Sequence, residues 1–163
     1  MMVPGQVTLI PQFLLFKSLG WVDTLNPLIV PAFFGGPFFI FLLRQFFLTI
    51  PLEMDDAARI DGCGYFQIYW RIILPLAKPA LGVVAIQEFM FAWNDFLRPL
   101  IFLNSRDKLT VAVALRNFTA DYGATPWNLL MAASVVALLP PIVLFFVAQR
   151  YFIQGIVVTG VKG

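Results

Sequence analysis

The chain alternates between long apolar blocks and two polar segments. Residues 24–43 carry no charge over 20 positions, which is enough to cross a bilayer as a helix. Two further spans are predicted over residues 79–103 and 122–149, and the second of these is also uncharged. Proline and glycine are compatible with membrane helices when neighbours satisfy the freed backbone groups, and Pro140-Pro141 predicts a kink. The pattern therefore predicts an all-α integral membrane protein with about three full transmembrane helices.

The N-terminal block is too short for a full span. Sixteen residues precede the first charge, Lys17, and Pro4 and Gly5 weaken a helix at their start, whereas about 20 apolar residues cross a bilayer. No basic segment or small-residue cleavage site is present, so no signal peptide is predicted. We expect a partial first helix in a single transmembrane domain, residues 1–163, that is truncated at its N-terminus. Met1 is then either a start inside a longer gene or the start of a natural truncation.

Composition supports a membrane protein and excludes several other classes. The chain is 60% hydrophobic and 12% charged, with a mean hydropathy of +0.85, whereas soluble domains carry about 25% charged residues. A net charge of +2 without interleaved basic and aromatic residues predicts no nucleic-acid partner. The absence of histidine removes the usual general base and the commonest metal ligand. We therefore predict no enzyme, no catalytic residue, no metal and no cofactor.

The two polar segments are predicted to be loops on opposite sides of the membrane. They cover residues 44–78 and residues 98–121, and the second contains a turn-like cluster at residues 104–108. Six lysines and arginines lie on the side of the first loop and five on the other side. The positive-inside rule therefore favours a cytoplasmic first loop.

A helix-turn-helix is predicted within the first polar loop, over residues 55–73. Asp55 or Asp56 is expected to cap the start of the first helix. Gly62 and Gly64 are expected to end that helix and turn the chain.

This loop is predicted to present a small amphipathic surface. Ala57, Ala58 and Gly62 are small enough to let a partner approach closely, and Pro75 limits how the second helix continues. The alternative on these grounds is a solvated connector that is helical but has no partner.

The loop resembles a motif known from one family of transporters. Its pattern is Asp56-Ala57-Ala58, three residues, Gly62, nine residues, and then Ile72-Ile73-Leu74-Pro75. This is similar to the EAA loop of ABC importer permeases, with Asp56 where the family usually has glutamate. The resemblance implies that residues 53–75 form a cytoplasmic coupling loop that docks in a groove of the ATP-binding subunit. The residues implied in that coupling are Asp56, Ala57, Ala58, Gly62, Ile72, Leu74 and Pro75.

The resemblance extends over essentially the whole chain. The stretches WNDFLRPLIFLNS and QRYFIQGIVVTGVKG, among others, are similar to the carbohydrate-importer branch of these permeases. The likeness is to the second, shorter permease of the maltose and glycerol-phosphate type, and it covers only the C-terminal part of such permeases, beginning inside the third helix.

This likeness implies a subunit of an ATP-driven sugar importer in a bacterial or archaeal cell membrane. The implied partners are an ABC ATP-binding subunit, a second permease subunit, an extracellular solute-binding protein, membrane lipid and a sugar substrate. No GxxxxGK[ST] loop is present in the sequence, so nucleotide is expected to bind on the separate ATPase subunit.

Polar residues in the third predicted segment are candidates for the substrate path. Glu88 and Asp95 lie seven positions apart, as do Gln87 and Asn94, so each pair is expected to share a helix face. A charge near the bilayer centre costs about 2.5–3.5 kcal/mol on insertion scales, so such residues usually face a cavity or a partner helix. Gln87, Glu88, Asn94 and Asp95 are therefore expected to line the path, with Phe91 and Trp93 offering an aromatic surface for a sugar ring.

Three alternatives stay open at this point. Asn94 and Asp95 can instead anchor the outer end of the helix, with Trp93 as an interface anchor. The chain can be part of a secondary transporter or channel with Glu88 as an ion site. It can also be a non-functional remnant. The EAA spacing argues against the second of these and says little about the third.

Overall fold

A computed structural model describes residues 4–120 and 125–159, which form helices joined by short turns, with no β-strand among them. The chain divides into two compact units, Met1–Gly35 with Phe89–Val143 and Gly36–Glu88 with Leu144–Gly163. In chain order, the described helical segments are α1 (Gly5–Ser18), α2 (Asn26–Ile29), a 3₁₀ turn (Val30–Phe34), α3 (Pro37–Phe47), α4 (Leu52–Ile60), α5 (Tyr65–Ile68), a π-helical stretch (Tyr69–Ile73), α6 (Leu74–Leu76), α7 (Lys78–Asn94), α8 (Leu97–Phe102), a second 3₁₀ turn (Arg106–Lys108), α9 (Val111–Ala120) and α10 (Trp127–Thr159).

Two described segments are long and apolar enough to cross a membrane. They are Asn26–Phe47, of 22 residues, and Trp127–Gln149, of 23 residues. A third exists only if Tyr65–Leu76 and Lys78–Asn94 are taken as one span, and these two helices are bent by 69° at their junction. The predicted all-α membrane architecture is confirmed, with two or three apolar spans in this part of the chain.

The first helix is short and ends in a well-defined turn. α1 has 14 residues, about 21 Å at 1.5 Å per residue, which is less than the hydrocarbon thickness of about 30 Å. Gly20 follows it with φ +68°, and its N–H donates to the Lys17 carbonyl at 3.1 Å. The Trp21 N–H reaches back to the Phe16 carbonyl at 2.9 Å, which completes a Schellman motif. The Trp21 ring stacks on the Phe16 ring at 5.6 Å, so the turn is held by an apolar contact.

The second predicted segment is interrupted near its middle. The 3₁₀ turn closes with a hydrogen bond from the Gly35 N–H to the Ala32 carbonyl, and Gly35 has φ +74°, which favours glycine. Pro37 then begins α3 at a position where its missing N–H is tolerated. These residues therefore mark helix ends within the segment.

The third predicted segment is not one helix, because α7 ends at Asn94 and α8 begins at Leu97. In a continuous helix the Pro99 ring would collide with the carbonyl of Asp95, four residues earlier. The Asp95 carboxylate instead accepts hydrogen bonds from the backbone N–H of Arg98 and from its Nε, at 3.4 and 2.5 Å. The prediction that Asp95 shares a helix face with Glu88 is therefore wrong.

Phe102 lies at the centre of the packing of the unit formed by Met1–Gly35 and Phe89–Val143. Its side chain is fully buried, as are those of Pro27 and Pro99. The Phe102 ring contacts Phe13 at 6.2 Å in a stacked arrangement and Phe16 at 5.4 Å edge to face. α1 and α8 therefore share one aromatic core within this unit.

The long last helix continues through two adjacent prolines. Because Pro141 has no N–H, the Ala137 carbonyl loses its donor within the helix. The Trp93 indole N–H supplies a donor instead, at 3.1 Å. Trp93 therefore joins α7 to α10, and its roles as an interface anchor or as an aromatic surface for a sugar stay predictions. The kink at Pro140-Pro141 stays a prediction.

Some predicted features lie outside the described residues. They are the beginning of the predicted fourth segment at residues 122–124, the end of the second polar loop at Asp121, and the terminal GVKG stretch at residues 160–163.

Candidate functional site

α4, the first helix of the predicted helix-turn-helix, starts earlier than predicted. Pro51 precedes the helix in an extended conformation, and the helix begins directly afterwards at Leu52. Asp55 and Asp56 therefore lie inside α4, and the prediction that one of them caps its start is wrong. Glu53 and Asp55 still occupy the first turn, where the helix dipole favours negative charge.

The turn after α4 is a Schellman motif centred on Gly62, as the glycine predicted. The Gly62 N–H donates to the Arg59 carbonyl at 3.0 Å, and the Cys63 N–H donates to the Ala58 carbonyl at 2.9 Å. Gly62 has φ +83°, and a Cβ added there would meet no atom within 4 Å. The backbone conformation, rather than lack of space, therefore accounts for glycine at this position.

The second helix begins at once after this turn. The Gly64 N–H donates to Oε1 of Gln67 at 3.1 Å, so Gly64 starts the second helix rather than ending the first. The Arg59 guanidinium carbon lies 4.7 Å from the centroid of the Tyr65 ring, which links the two helices by a cation–π contact.

The second helix of the loop is irregular just before Pro75. The Leu74 N–H donates a hydrogen bond to the carbonyl of Tyr69, five residues earlier, which is the pattern of a π-helix. The helix passes through Pro75, and the 69° bend follows at fully buried Ala77. Pro79 accounts for the bend, because in a straight helix its ring would collide with the Pro75 carbonyl.

The loop exposes large apolar side chains beside its charges. Ile60, Tyr65 and Phe66 are exposed to 86, 78 and 77%, and Trp70 to 60%. Contiguous exposed apolar residues of this kind mark interaction surfaces with protein or membrane. We call these four residues the apolar face of the loop.

The predicted coupling residues differ in exposure. Ala58 is only 6% exposed, so it is the most buried member of the set, and its part in coupling stays a prediction. Ile72 and Leu74 are half-buried. The members of the set that the fold leaves exposed are Asp56, Ala57, Gly62 and Pro75.

The predicted path residues are not brought to one site. Glu88 and Phe91 are exposed on α7 and Gln87 is half-buried. Asn94 donates from Nδ2 to the Met90 carbonyl of its own helix at 2.8 Å. Asn94 lines a cavity of about 290 Å³ together with Trp93, whereas Asp95 lines a different one.

That second cavity is a half-open cleft of about 440 Å³, which we call the polar cleft. Its apolar lining includes Phe16, Pro27 and Leu97. Its polar lining consists of Gln6, Thr8, Gln12, Asp95 and Arg98, together with the backbone of Gly5. Of these polar residues, only Asp95 was predicted from the sequence to line the substrate path. The two glutamines in an otherwise apolar block were the available signal, since polar residues in membrane segments usually face cavities.

Asp23 joins two loops at one end of the same unit. Its carboxylate accepts hydrogen bonds from the backbone N–H groups of Asn104 and Ser105 at 2.9 and 2.8 Å, and from the Ser105 hydroxyl at 2.5 Å. Lys108 Nζ lies 3.0 Å from the same carboxylate. The hydrogen bonds from Ser105 are the main reason that the pKa of Asp23 is well below its usual range. We call this arrangement the Asp23 clasp.

The helical fold and its apolar spans define a multi-pass membrane protein. The sequence matches, over residues 1–158, the family described as the inner membrane component of binding-protein-dependent transport systems. The chain belongs to that family.

Curated relatives are sugar-transport and related permeases. The arabinooligosaccharides transport system permease protein AraQ of Halalkalibacterium halodurans is 40% identical over all of this chain and 58% of its own length. AraQ of Bacillus subtilis is 41% identical over all of this chain and 57% of its own length. The sn-glycerol-3-phosphate transport system permease protein UgpE of Yersinia pestis is 35% identical over 96% of this chain and 56% of its own length. The chain therefore spans a little over half the length of these relatives.

A solved structure shares the fold. A bacterial ABC transporter involved in the import of the acidic polysaccharide alginate superimposes with a TM-score of 0.75 at 28% identity, over 88% of this chain and 56% of that one.

Proposed function

We propose that the chain is a membrane-spanning subunit of an ATP-driven importer of saccharides. In this proposal it forms part of the translocation path and couples to a separate ATPase subunit. A second permease subunit completes the path, and an extracellular solute-binding protein delivers the substrate. The chain itself carries out no catalysis, and the subunit lies in the cell membrane among lipid.

The observation that carries the proposal is the form of the loop at residues 53–75. Its EAA-like spacing corresponds to two short helices joined by a Schellman turn. Exposed Asp56, Ala57 and Gly62 lie in α4 and in the turn after it, and the apolar face lies in the same loop. A loop with small exposed residues and large apolar ones is suited to dock in a groove of another protein. In this role Ile72, Leu74 and Pro75 support the surface from the second helix.

In this function Gln87 and Asn94 of α7, together with Asp95, contribute to the translocation path. Glu88 and Phe91 also contribute to the translocation path, since both are exposed on α7. Their polar groups and the aromatic ring are suited to hydroxyl-rich ligands.

The test is a pair of substitutions at one position. Gly62→Ala and Gly62→Arg both place a side chain at φ +83°, but only arginine adds bulk to the docking surface. We expect Gly62→Arg to abolish ATP-dependent uptake while the subunit still inserts in the membrane, and Gly62→Ala to keep most of the uptake.

The measurement is uptake by vesicles that hold the importer purified from its native membrane, with permease insertion quantified in parallel. Normal uptake by Gly62→Arg would refute the coupling role. Uptake that collapses with an uncoupler at constant ATP would instead favour a secondary transporter with Glu88 as its ion site.

A further inference from the structure

We propose that the polar cleft binds an uncharged, hydroxyl-rich part of the transported saccharide, so that neutral saccharides are carried in preference to anionic ones. This inference rests on the proposed transport function. It adds three residues that sequence reasoning did not place in the path, Gln6, Gln12 and Arg98.

The cleft offers the hydrogen-bonding groups that a sugar hydroxyl needs. Gln12 Nε2 donates to Thr8 Oγ1 at 3.2 Å, and the Thr8 hydroxyl donates to the Gly5 carbonyl at 2.8 Å. The Gln12 amide is thus held in place while its oxygen and second N–H bond to no described residue. The side-chain amide of Gln6 likewise makes no hydrogen bond to a described residue. An amide both donates and accepts, as a hydroxyl does, so each can bond to a sugar.

The charges in the lining of the polar cleft cancel, and this favours a neutral ligand over an anionic one. Asp95 and Arg98 supply the charged side chains of the lining, one of each sign, and Arg98 Nε lies 2.5 Å from Asp95 Oδ2. The terminal guanidinium nitrogens of Arg98 make no hydrogen bond within the described part of the chain and remain donors. A phosphate or carboxylate at these donors would compete with the Asp95 carboxylate and be repelled by it, so an anion is disfavoured.

The apolar wall suits the remaining surface of a sugar. Phe16, which lines the cleft, is fixed by stacking on Trp21 at 5.6 Å and by edge contact with Phe102 at 5.4 Å. A sugar ring presents C–H groups between its hydroxyls, and a rigid apolar wall with a few placed polar groups is the usual form of a small-ligand site. The volume of about 440 Å³ lies within the usual range of about 300–1,000 Å³.

The experiment uses the importer purified from its native membrane and reconstituted in vesicles with its binding protein and ATP. Arabinotriose and maltotriose are the neutral probes, and glycerol 3-phosphate and an alginate disaccharide are the anionic ones. Three variants are compared at saturating binding protein: Gln12→Leu, Asp95→Asn and, as the matched control, Gln45→Leu. Gln45 is an exposed glutamine of α3 outside the cleft. The amount of assembled complex is measured for each variant as the check on folding.

We expect Gln12→Leu to slow entry of the neutral probe that the importer carries by about fivefold, the usual effect of losing one or two hydrogen bonds. Gln45→Leu should keep the wild-type rate. Asp95→Asn frees the Arg98 charge and should raise the ratio of anionic to neutral uptake by about tenfold, as a charge-assisted hydrogen bond predicts.

Equal rates for Gln12→Leu and Gln45→Leu would overturn the inference, even if Asp95→Asn does not assemble. Wild-type uptake of an anionic probe that matches or exceeds the neutral ones would also overturn it. Absence of ATP-dependent uptake of every probe by the wild type is a distinct result, since it refutes the proposed transport function itself and the cleft inference with it.

Discussion

The chain ends two helices with the same backbone motif in two different surroundings. Gly20 after α1 and Gly62 after α4 both adopt positive φ and both close Schellman turns. In the turn after α1, Gly20 is followed by Trp21, whose ring stacks on Phe16 beside the buried Phe102. After α4, the loop instead exposes its apolar face.

This difference separates a structural turn from a candidate docking turn. Glycine accounts for the backbone in both places, but only the surroundings determine what the turn does. Large apolar side chains left in solvent cost free energy unless a partner or lipid covers them, whereas Phe16, on which the ring of the first turn stacks, is already buried within the chain. The comparison therefore predicts that truncating the apolar side chains around Gly20 changes stability and that truncating those around Gly62 changes assembly.

The largest expected effect comes from truncating one phenylalanine in each region. Phe102→Ala should lower the free energy of unfolding by about 3–5 kcal/mol, because it empties a fully buried site. Phe66→Ala, at a side chain 77% exposed, should change it by less than about 0.5 kcal/mol and should reduce the ATPase that co-purifies. Denaturation of the purified subunit in detergent measures the free energy of unfolding of each variant. The amount of ATPase that co-purifies with each variant is measured separately. Equal loss of stability in the two variants would contradict the comparison.

The second-largest change in the free energy of unfolding is expected from substituting the two glycines themselves. Gly20→Ala and Gly62→Ala each place a Cβ at positive φ where no atom lies within 4 Å. Backbone strain alone should therefore cost about 1–2 kcal/mol at each position. The same unfolding measurement checks this, and a much greater loss at Gly20 would mean that its turn is constrained by more than its backbone.

A smaller, pH-dependent effect is expected at the Asp23 clasp. Because the folded state lowers the pKa of Asp23, the clasp stabilises the protein above the unfolded pKa of about 3.9 and loses that contribution as the pH falls further. Asp23→Asn lacks the charge, so its melting temperature should lie below that of the wild type at neutral pH. The gap should narrow below about pH 4. A gap that is constant down to pH 3 would show that the Asp23 charge is not what stabilises the loops.

The smallest expected effect is at the hydrogen bond between α7 and α10. Trp93→Phe removes the donor to the Ala137 carbonyl and should cost about 0.6 kcal/mol, the average for such bonds in membranes. In a Pro141→Ala background the helix supplies its own N–H, so the same change should cost less. A double-mutant cycle of unfolding free energies measures the difference, and no coupling between the two sites would refute the explanation.

Local signals predicted much of the fold. The apolar runs indicated the membrane segments, and the glycine at position 62 indicated the turn and the end of α4. These features depend on neighbouring residues, which the sequence shows directly. The wrong predictions also have local causes, since Pro51 sets the start of α4 and Pro99 ends α7 before Asp95.

The rest depended on contacts between distant residues. The burial of Ala58 and the bond from Trp93 to α10 follow from how helices pack. The polar cleft brings Gln6 and Gln12 beside Arg98, more than 80 positions later. No spacing pattern along the chain indicates which of these polar groups meet.

The bend at Ala77 has a mechanical consequence. Tyr65–Leu76 and Lys78–Asn94 form two stiff arms, about 18 and 25 Å long at 1.5 Å per residue, set at 69° to each other. A thrust along the first arm therefore has only a minor component along the second and acts mainly across it. In the proposed coupling role, an elbow of this kind turns axial force on the loop into a sideways push on the longer arm, and Pro79 accounts for the bend.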